Sequence, residues 1–245
     1  QTCKRIERRL RELGLSDVAE YRSCLEEKQN EWEVLDTLCR ITISRFYRDR
    51  GVFQALGRDV LPELAQKAEQ EGSRFLRCLC AGCASGEEPY TLALLWKFVA
   101  AGKSPEMDIR VIATDSDRTM LERAARACYQ PSSLKELPDR WQKEAFDKVK
   151  GRFCLKPEFR AMAEFCRQDI RQSMPDGPFQ LILCRNLVFT YYDSALQKRI
   201  LERLSEKLDN GGALIIGIHE ELPEQAEDFV PWRSNLKIYR KQIRR

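Results

Sequence analysis

The stretch Cys80 to Trp96, CAGCASGEEPYTLALLW, passes from small residues around Gly82 and Gly86 to two acids, a proline and an apolar helical pattern. A glycine turn between a strand and a helix lets a ligand approach the backbone. Phosphate is a poor fit: neither G-x-G-x-x-G nor G-x-x-x-x-G-K-[ST] is present. Gly102-Lys103-Ser104 follows a helical pattern rather than a strand, and Lys97 stands where the first glycine would be. Glu87 and Glu88 would also repel a pyrophosphate.

Those acids suit a ligand with ammonium, sulfonium or hydroxyl groups, and S-adenosylmethionine carries all three. Asp115 ends the run RVIATD, where a carboxylate can reach ribose hydroxyls. Asp169 ends FCRQD and could accept from the exocyclic amine of adenine. Each acid alone would serve equally as a helix cap; three in register at strand ends favour the cofactor. The only histidine, His219, follows the apolar run GALIIGI and reads first as a strand-end residue. Its rival role is general base for a hydroxyl, amine or thiol acceptor. HEELP lacks the second histidine of a zinc-protease motif. Cys78, Cys80 and Cys83 imitate part of a metal site, but the alternation along FLRCLC fits a buried strand better.

The elements that must position these residues fall into two kinds. Cys3 to Gln29 reads as helix, with Leu10, Leu13 and Leu15 among charges, a break at Gly14 and a cap at Ser16-Asp17. Trp32 to Arg40 continues helical, with Trp32, Leu35 and Leu38 on one side. From Phe75, short apolar runs alternate with helices: FLRCLCAG, YTLALLWKFVA, IRVIATD, RTMLERAARACY, FQLILCRN and GALIIGI. That rhythm predicts an α/β fold with right-handed crossovers and a mostly parallel sheet, and NLKIYRK suits a last strand at one side. Tyr129 to Phe165, rich in proline and charge, interrupts the rhythm as an inserted subdomain with a hairpin around GRFCLKPEFR. The expected division is residues 1–50 and 51–245, with the insertion at about 130–165.

With 245 residues, 43% of them hydrophobic, the chain can build one large domain and a modest appendage. A formal charge of +4 is too balanced to indicate nucleic acid. Ten cysteines at irregular spacings, with no visible secretory signal, read as reduced thiols in a cytoplasmic setting. No stretch is apolar and long enough for membrane insertion.

CAGCASGEEPYTLALL, with ITISRFYRD before it and FQLILCRN after it, resembles the CheR-type methyltransferases that esterify glutamates of bacterial chemoreceptors. The likeness runs through IATD, the insertion, CRN and LDNGGALIIGIHE, and so covers nearly the whole chain. It implies a Rossmann-like class I methyltransferase domain behind a small all-helical domain, S-adenosylmethionine as cofactor with S-adenosylhomocysteine as product, and a role in chemotaxis. By motif, Ser44 and Arg48 would approach the methionyl part of the cofactor, with Arg48 suiting its carboxylate. Gly82 and Glu87 belong to the glycine turn. Asp115 would hold ribose, and Asp169 with Asn186 and Leu187 would border adenine and the donor site. Tyr191 matches the family's tyrosine near the transferred methyl and, with Arg48, is the catalytic candidate. CRNLVFTYYD has one residue more than the family's usual spacing, so Tyr192 competes with Tyr191. Asp169-Ile170 stands where Asn-Leu is common, and Gly217-Ile218-His219-Glu220 where Gly-x-Ser-Glu is common.

Methyl transfer from a sulfonium is an in-line displacement that needs alignment and exclusion of water. An ionised carboxylate acceptor requires no general base, which agrees with the scarcity of histidine. The family's first helix meets acidic receptor helices, so Arg5, Arg8, Arg9 and Arg11 are the candidate contacts to an acidic helical protein such as a receptor cytoplasmic domain. A solvated helix face is the plain alternative. A methyltransferase for a small molecule or another nucleophile, and a non-catalytic module that binds or senses the cofactor, are the competing functions. Methylation of a nucleic-acid base is disfavoured because no Pro-Pro-aromatic sequence follows Asn186.

Overall fold

A computed structural model describes residues 2–39, 44–224 and 226–242. The chain divides into two compact units, Gln1–Ile43 and Ser44–Arg245. Ile41, Thr42 and Ile43, which begin ITISRFYRD, and Arg40 lie outside the described residues.

The first unit holds α1 (Thr2–Leu13), α2 (Val18–Glu27) and α3 (Gln29–Cys39). Asp17 caps α2 by accepting from the Glu20 N–H at 2.9 Å. Leu10, Tyr21, Cys24 and Leu25 form the core, with Ile6, Leu13, Leu15 and Leu35 packed against it. Glu31 is a buried acid of this unit. Arg9 grips it with two bonds of 2.9 and 2.8 Å, and the Tyr21 hydroxyl donates to it at 3.0 Å. These bonds, Arg9 first, hold the Glu31 carboxyl below its usual range. Burial and the Glu31 partner push the Tyr21 phenol up to about 12. Trp32, by contrast, is largely exposed and takes no part in the apolar side that its spacing suggested.

The second unit begins with α4 (Arg50–Ala55) and α5 (Leu61–Gln70), and continues through β1 (Phe75–Ala81), α6 (Glu87–Leu95), β2 (Asp108–Asp115) and α7 (Arg118–Arg126). Then follow β3 (Cys128–Tyr129), α8 (Asp139–Ala145), β4 (Phe146–Val149), β5 (Arg152–Leu155), α9 (Pro157–Arg160) and β6 (Ala163–Arg167). The chain closes with β7 (Phe179–Leu183), α10 (Val188–Tyr191), α11 (Ser194–Lys207), β8 (Leu208–Ile215), β9 (Phe229–Arg233) and β10 (Ile238–Lys241). The main sheet has seven strands in the order β6-β2-β1-β7-β8-β10-β9. The first five run parallel, and β10 is antiparallel to both β8 and β9. This is the Rossmann-like class I methyltransferase fold. The last strand does not lie at the sheet's side as expected. It is inserted beside β8, and the edge belongs to β9, whose Pro231 suits an edge position.

Alternation along the strands feeds two cores. Leu76, Cys78, Cys80, Val111, Ala113, Leu181 and Leu183 pack on one face; Leu79, Ala81, Ile182, Cys184 and Leu214 pack on the other. Cys78 and Cys80 are thus core residues, and burial pushes both thiols up. The insertion forms a separate sheet, β3-β5-β4. The hairpin is β4 with β5; the PEFR end of the expected hairpin is the short α9 instead. Cys128 and Cys154 face each other across β3 and β5 and form a disulfide. The reading of all ten cysteines as reduced thiols fails for this pair, because cross-strand register rather than sequence spacing brings them together.

The sheet reverses direction of growth at β1: β2 and β6 follow on one side, β7 and β8 on the other. A crevice at the carboxyl ends of β1 and β7 is the expected ligand position for such a switch.

Candidate functional site

The glycine turn leaves β1 and is sewn to β2. The N–H groups of Gly82 and Cys83 both donate to the Thr114 carbonyl, at 2.8 and 2.9 Å. Gly82 has φ +76, and a Cβ there would lie 2.6 Å from Leu187 Cδ2. The positive φ calls for glycine, and Leu187 packs closely over the turn. Gly86, at φ +90, opens α6, and a Cβ there would meet the Ala124 Cβ at 2.9 Å and the Tyr129 hydroxyl at 3.1 Å. Tyr129, in β3 of the insertion, donates to the Ser85 carbonyl at 2.8 Å, tying the small sheet to the turn.

Asp115 lies half-buried at the end of β2. Its Oδ2 accepts from the Ala84 N–H at 2.8 Å and its Oδ1 from the Asp117 N–H at 2.9 Å. Each oxygen keeps acceptor capacity beyond its one backbone donor, which suits a pair of hydroxyls. Asp169 follows β6, and the Gln168 N–H beside it donates to the Asp115 carbonyl at 3.1 Å. The Asp169 carboxylate carries a bidentate Arg171, which donates through Nε to Oδ1 at 3.0 Å and through Nη2 to Oδ2 at 2.6 Å. Glu87 is buried and accepts the Ser85 hydroxyl on both oxygens, at 3.0 and 2.9 Å.

Beyond β7 the motif Cys184-Arg185-Asn186 carries two devices that sequence reasoning missed. Arg185 is buried; it donates through Nη1 to Glu88 at 2.9 Å and through Nη2 to Asp49. Burial raises the Glu88 carboxyl above its ordinary range, with Arg185 pulling the other way. Through Asp49 this cluster anchors the segment bearing Ser44 and Arg48, both half-buried. Tyr47 and Asp49 there have φ of 60 and 61, and the Tyr47 N–H donates to Thr91 Oγ1 at 3.0 Å. The second device is Glu220, whose carboxylate receives the N–H groups of Asn186, Leu187 and Gly217 and the Thr190 hydroxyl. The only advance signal for either was the string around it: CRN for Arg185 and Gly-x-x-Glu for Glu220.

Tyr191 ends α10 with a side chain 55% exposed, whereas Tyr192 packs against the core beneath β7 and β8. His219 is exposed between β8 and Glu220. In the helical unit, Arg9 holds Glu31. Arg8 and Arg11 are exposed and Arg5 is half-buried; Arg8 lies 3.7 Å from Glu12. Lys4, Arg8 and Arg11, spaced i, i+4, i+7, share one exposed stripe.

Gly82, Asp115 and Leu187 come together where β1, β2 and β7 end: Leu187 lies against Gly82, and Asp115 accepts from the Ala84 N–H of the glycine turn. The residues present fit S-adenosylmethionine: a glycine turn at positive φ, and beside it a strand-end carboxylate with one backbone donor on each oxygen. Fold and site define an α/β domain of the S-adenosylmethionine-binding class. Residues 42–238 match the family described as "CheR methyltransferase, SAM binding domain". The chain belongs to the CheR methyltransferase family. It is 31% identical over 233 residues to the chemotaxis protein methyltransferase of Salmonella typhimurium, covering 92% of this chain and 77% of that one. It is 30% identical over 191 residues to the chemotaxis protein methyltransferase of Listeria monocytogenes, covering 78% and 70%. An uncharacterized 104.1 kDa protein of Rhodobacter capsulatus is 31% identical over 238 residues; these cover 96% of this chain but only 24% of that protein. No helix among the described residues is long and apolar enough to cross a membrane.

Proposed function

We infer that the protein transfers a methyl group from S-adenosylmethionine to a protein glutamate carboxylate, on an acidic helical partner such as the cytoplasmic domain of a chemotaxis receptor. The observation that carries this reading is the placement of Asp115 and Leu187 against the glycine turn at the carboxyl ends of the strands, in a CheR-family chain. The bound cofactor would supply an activated methyl on a sulfonium. Asp115 would hold the ribose hydroxyls, and Asp169, Asn186 and Leu187 would border adenine and the donor site. Arg48, with Ser44, would bind the methionyl end, its guanidinium matching a carboxylate; Glu87 would support the turn.

Tyr191 would stand beside the transferred methyl and order the acceptor. A carboxylate acceptor arrives ready to attack, so no group need remove a proton. The sole histidine, exposed at position 219, is consistent with that economy. Arg5, Arg8 and Arg11 would receive the acidic partner, their charges complementing its glutamates.

The test is incubation with methyl-labelled S-adenosylmethionine and receptor cytoplasmic fragments. Label should enter protein and leave as methanol at alkaline pH. Label stable to base would indicate another nucleophile. Label in small molecules alone would indicate a small-molecule acceptor, and cofactor binding without any transfer a sensing module.

A further inference from the structure

Glu220 has no part in the roles assigned above, yet it governs the geometry of one wall of the crevice. Its Oε1 accepts from the Leu187 N–H at 3.1 Å and the Thr190 hydroxyl at 2.6 Å. Its Oε2 accepts from the Asn186 N–H at 2.9 Å and the Gly217 N–H at 2.5 Å. The side chain is 3% exposed, and a Cβ on Gly217 would come within 2.7 Å of Oε2 and 2.9 Å of Asn186 Oδ1. Only an acceptor-only group of this length satisfies four converging donors. What it holds is unusual backbone: Asn186 has φ 53 and Leu187 has φ -136 with ψ -82. A left-handed asparagine persists when its surroundings over-determine it. The side chain so placed, that of Leu187, closes over Gly82.

We propose that Glu220 is a positioning residue for cofactor binding: it holds Leu187 over the glycine turn and so sets the width of the donor site. This rests on the cofactor reading above. Replacing Glu220 by glutamine isolates the effect, because size is kept while one oxygen becomes an NH2. Placed at Oε2, that NH2 would face two N–H donors. Placed at Oε1, it faces only the Leu187 N–H, since the Thr190 hydroxyl can turn and accept from it. The lower-cost arrangement therefore leaves the Leu187 N–H without its acceptor.

The experiment is calorimetric titration of S-adenosylhomocysteine into the whole chain, with thermal midpoints measured in parallel. Glu220→Gln should weaken binding on the order of tenfold or more. Adding Thr190→Val, which removes the compensating acceptor, should weaken it by more than the two single changes combined. Glu31→Gln disturbs a comparably bonded acid in the helical unit; it should lower the midpoint and leave affinity unchanged, so affinity is not a mere echo of stability. Affinity of folded Glu220→Gln within twofold of wild type overturns the proposal. If that variant does not fold, Glu220→Asp, which keeps the charge but draws the head back by one methylene, carries the test with the same outcomes. Loss of affinity in Asp115→Ala with none in the Glu220 variants sinks only this inference; no binding by wild type sinks the cofactor reading with it.

Discussion

Asp115→Ala separates a ligand role from a structural one, because the carboxylate has two backbone partners that can be weighed independently. The Ala84 and Asp117 N–H groups, at 2.8 and 2.9 Å, lose their acceptors. Both are part-buried with access to water, so folding stability should fall by about 1 to 2 kcal/mol. If ribose hydroxyls also donate to this carboxylate, the complex loses a further charge-assisted interaction of about 1.5 to 3 kcal/mol. At about 1.4 kcal/mol per tenfold, that is roughly 10-fold to 150-fold in dissociation constant for S-adenosylhomocysteine. Asp117→Ala provides the comparison. Asp117 caps α7 through the Thr119 and Met120 N–H groups at 2.8 and 3.2 Å, so its loss should lower the thermal midpoint without changing affinity. Calorimetry and thermal melts on the two variants suffice. Equal affinity for wild type and Asp115→Ala would remove Asp115 from the cofactor site and with it the present account of the crevice.

Reversing Arg8 and Arg11 to glutamate should raise KM for an acidic helical substrate while cofactor affinity is kept. The effect should shrink with added salt, since exposed charges are screened over about 10 Å; equal kinetics would favour a small acceptor. Glu31, held below its ordinary carboxylate range chiefly by Arg9, should make the helical unit acid-sensitive. The unfolded chain binds the proton first, so this contribution is intact above the ordinary glutamate pKa and is lost as pH falls through the lowered folded value. Circular dichroism across that range should show a flatter pH dependence for Glu31→Gln. Cys154→Ser opens a disulfide that spans 26 residues, for which loop entropy predicts a loss of about 3.5 kcal/mol. A melt of that variant indistinguishable from wild type would argue that the bond does not form in solution.

Local features were legible in the sequence. The glycine turn and Asp115 announced themselves because small residues and a strand-end acid must stand beside an apolar run, and they do follow β1 and end β2. The parallel core followed from period-two alternation in FLRCLC and LILC. Long-range pairing was not legible. Arg185 meets Glu88 and Asp49 across 97 and 136 residues, and no local pattern distinguishes a buried arginine from an exposed one. Arg9 looked like its neighbours in a basic run, but its helix face turns it inward to Glu31. β9 escaped notice because Pro231 and Arg233 spoil its alternation, which an edge strand tolerates. The disulfide escaped because irregular spacing carries no information on which strands will pair.

The most direct test is a crystal structure with S-adenosylhomocysteine bound. The account predicts the nucleoside at the carboxyl ends of β1 and β2, with ribose hydroxyls on Asp115, backbone approach at Gly82, and Leu187 against the ligand. Ligand at another edge of the sheet, or in this crevice with Asp115 untouched, would contradict it.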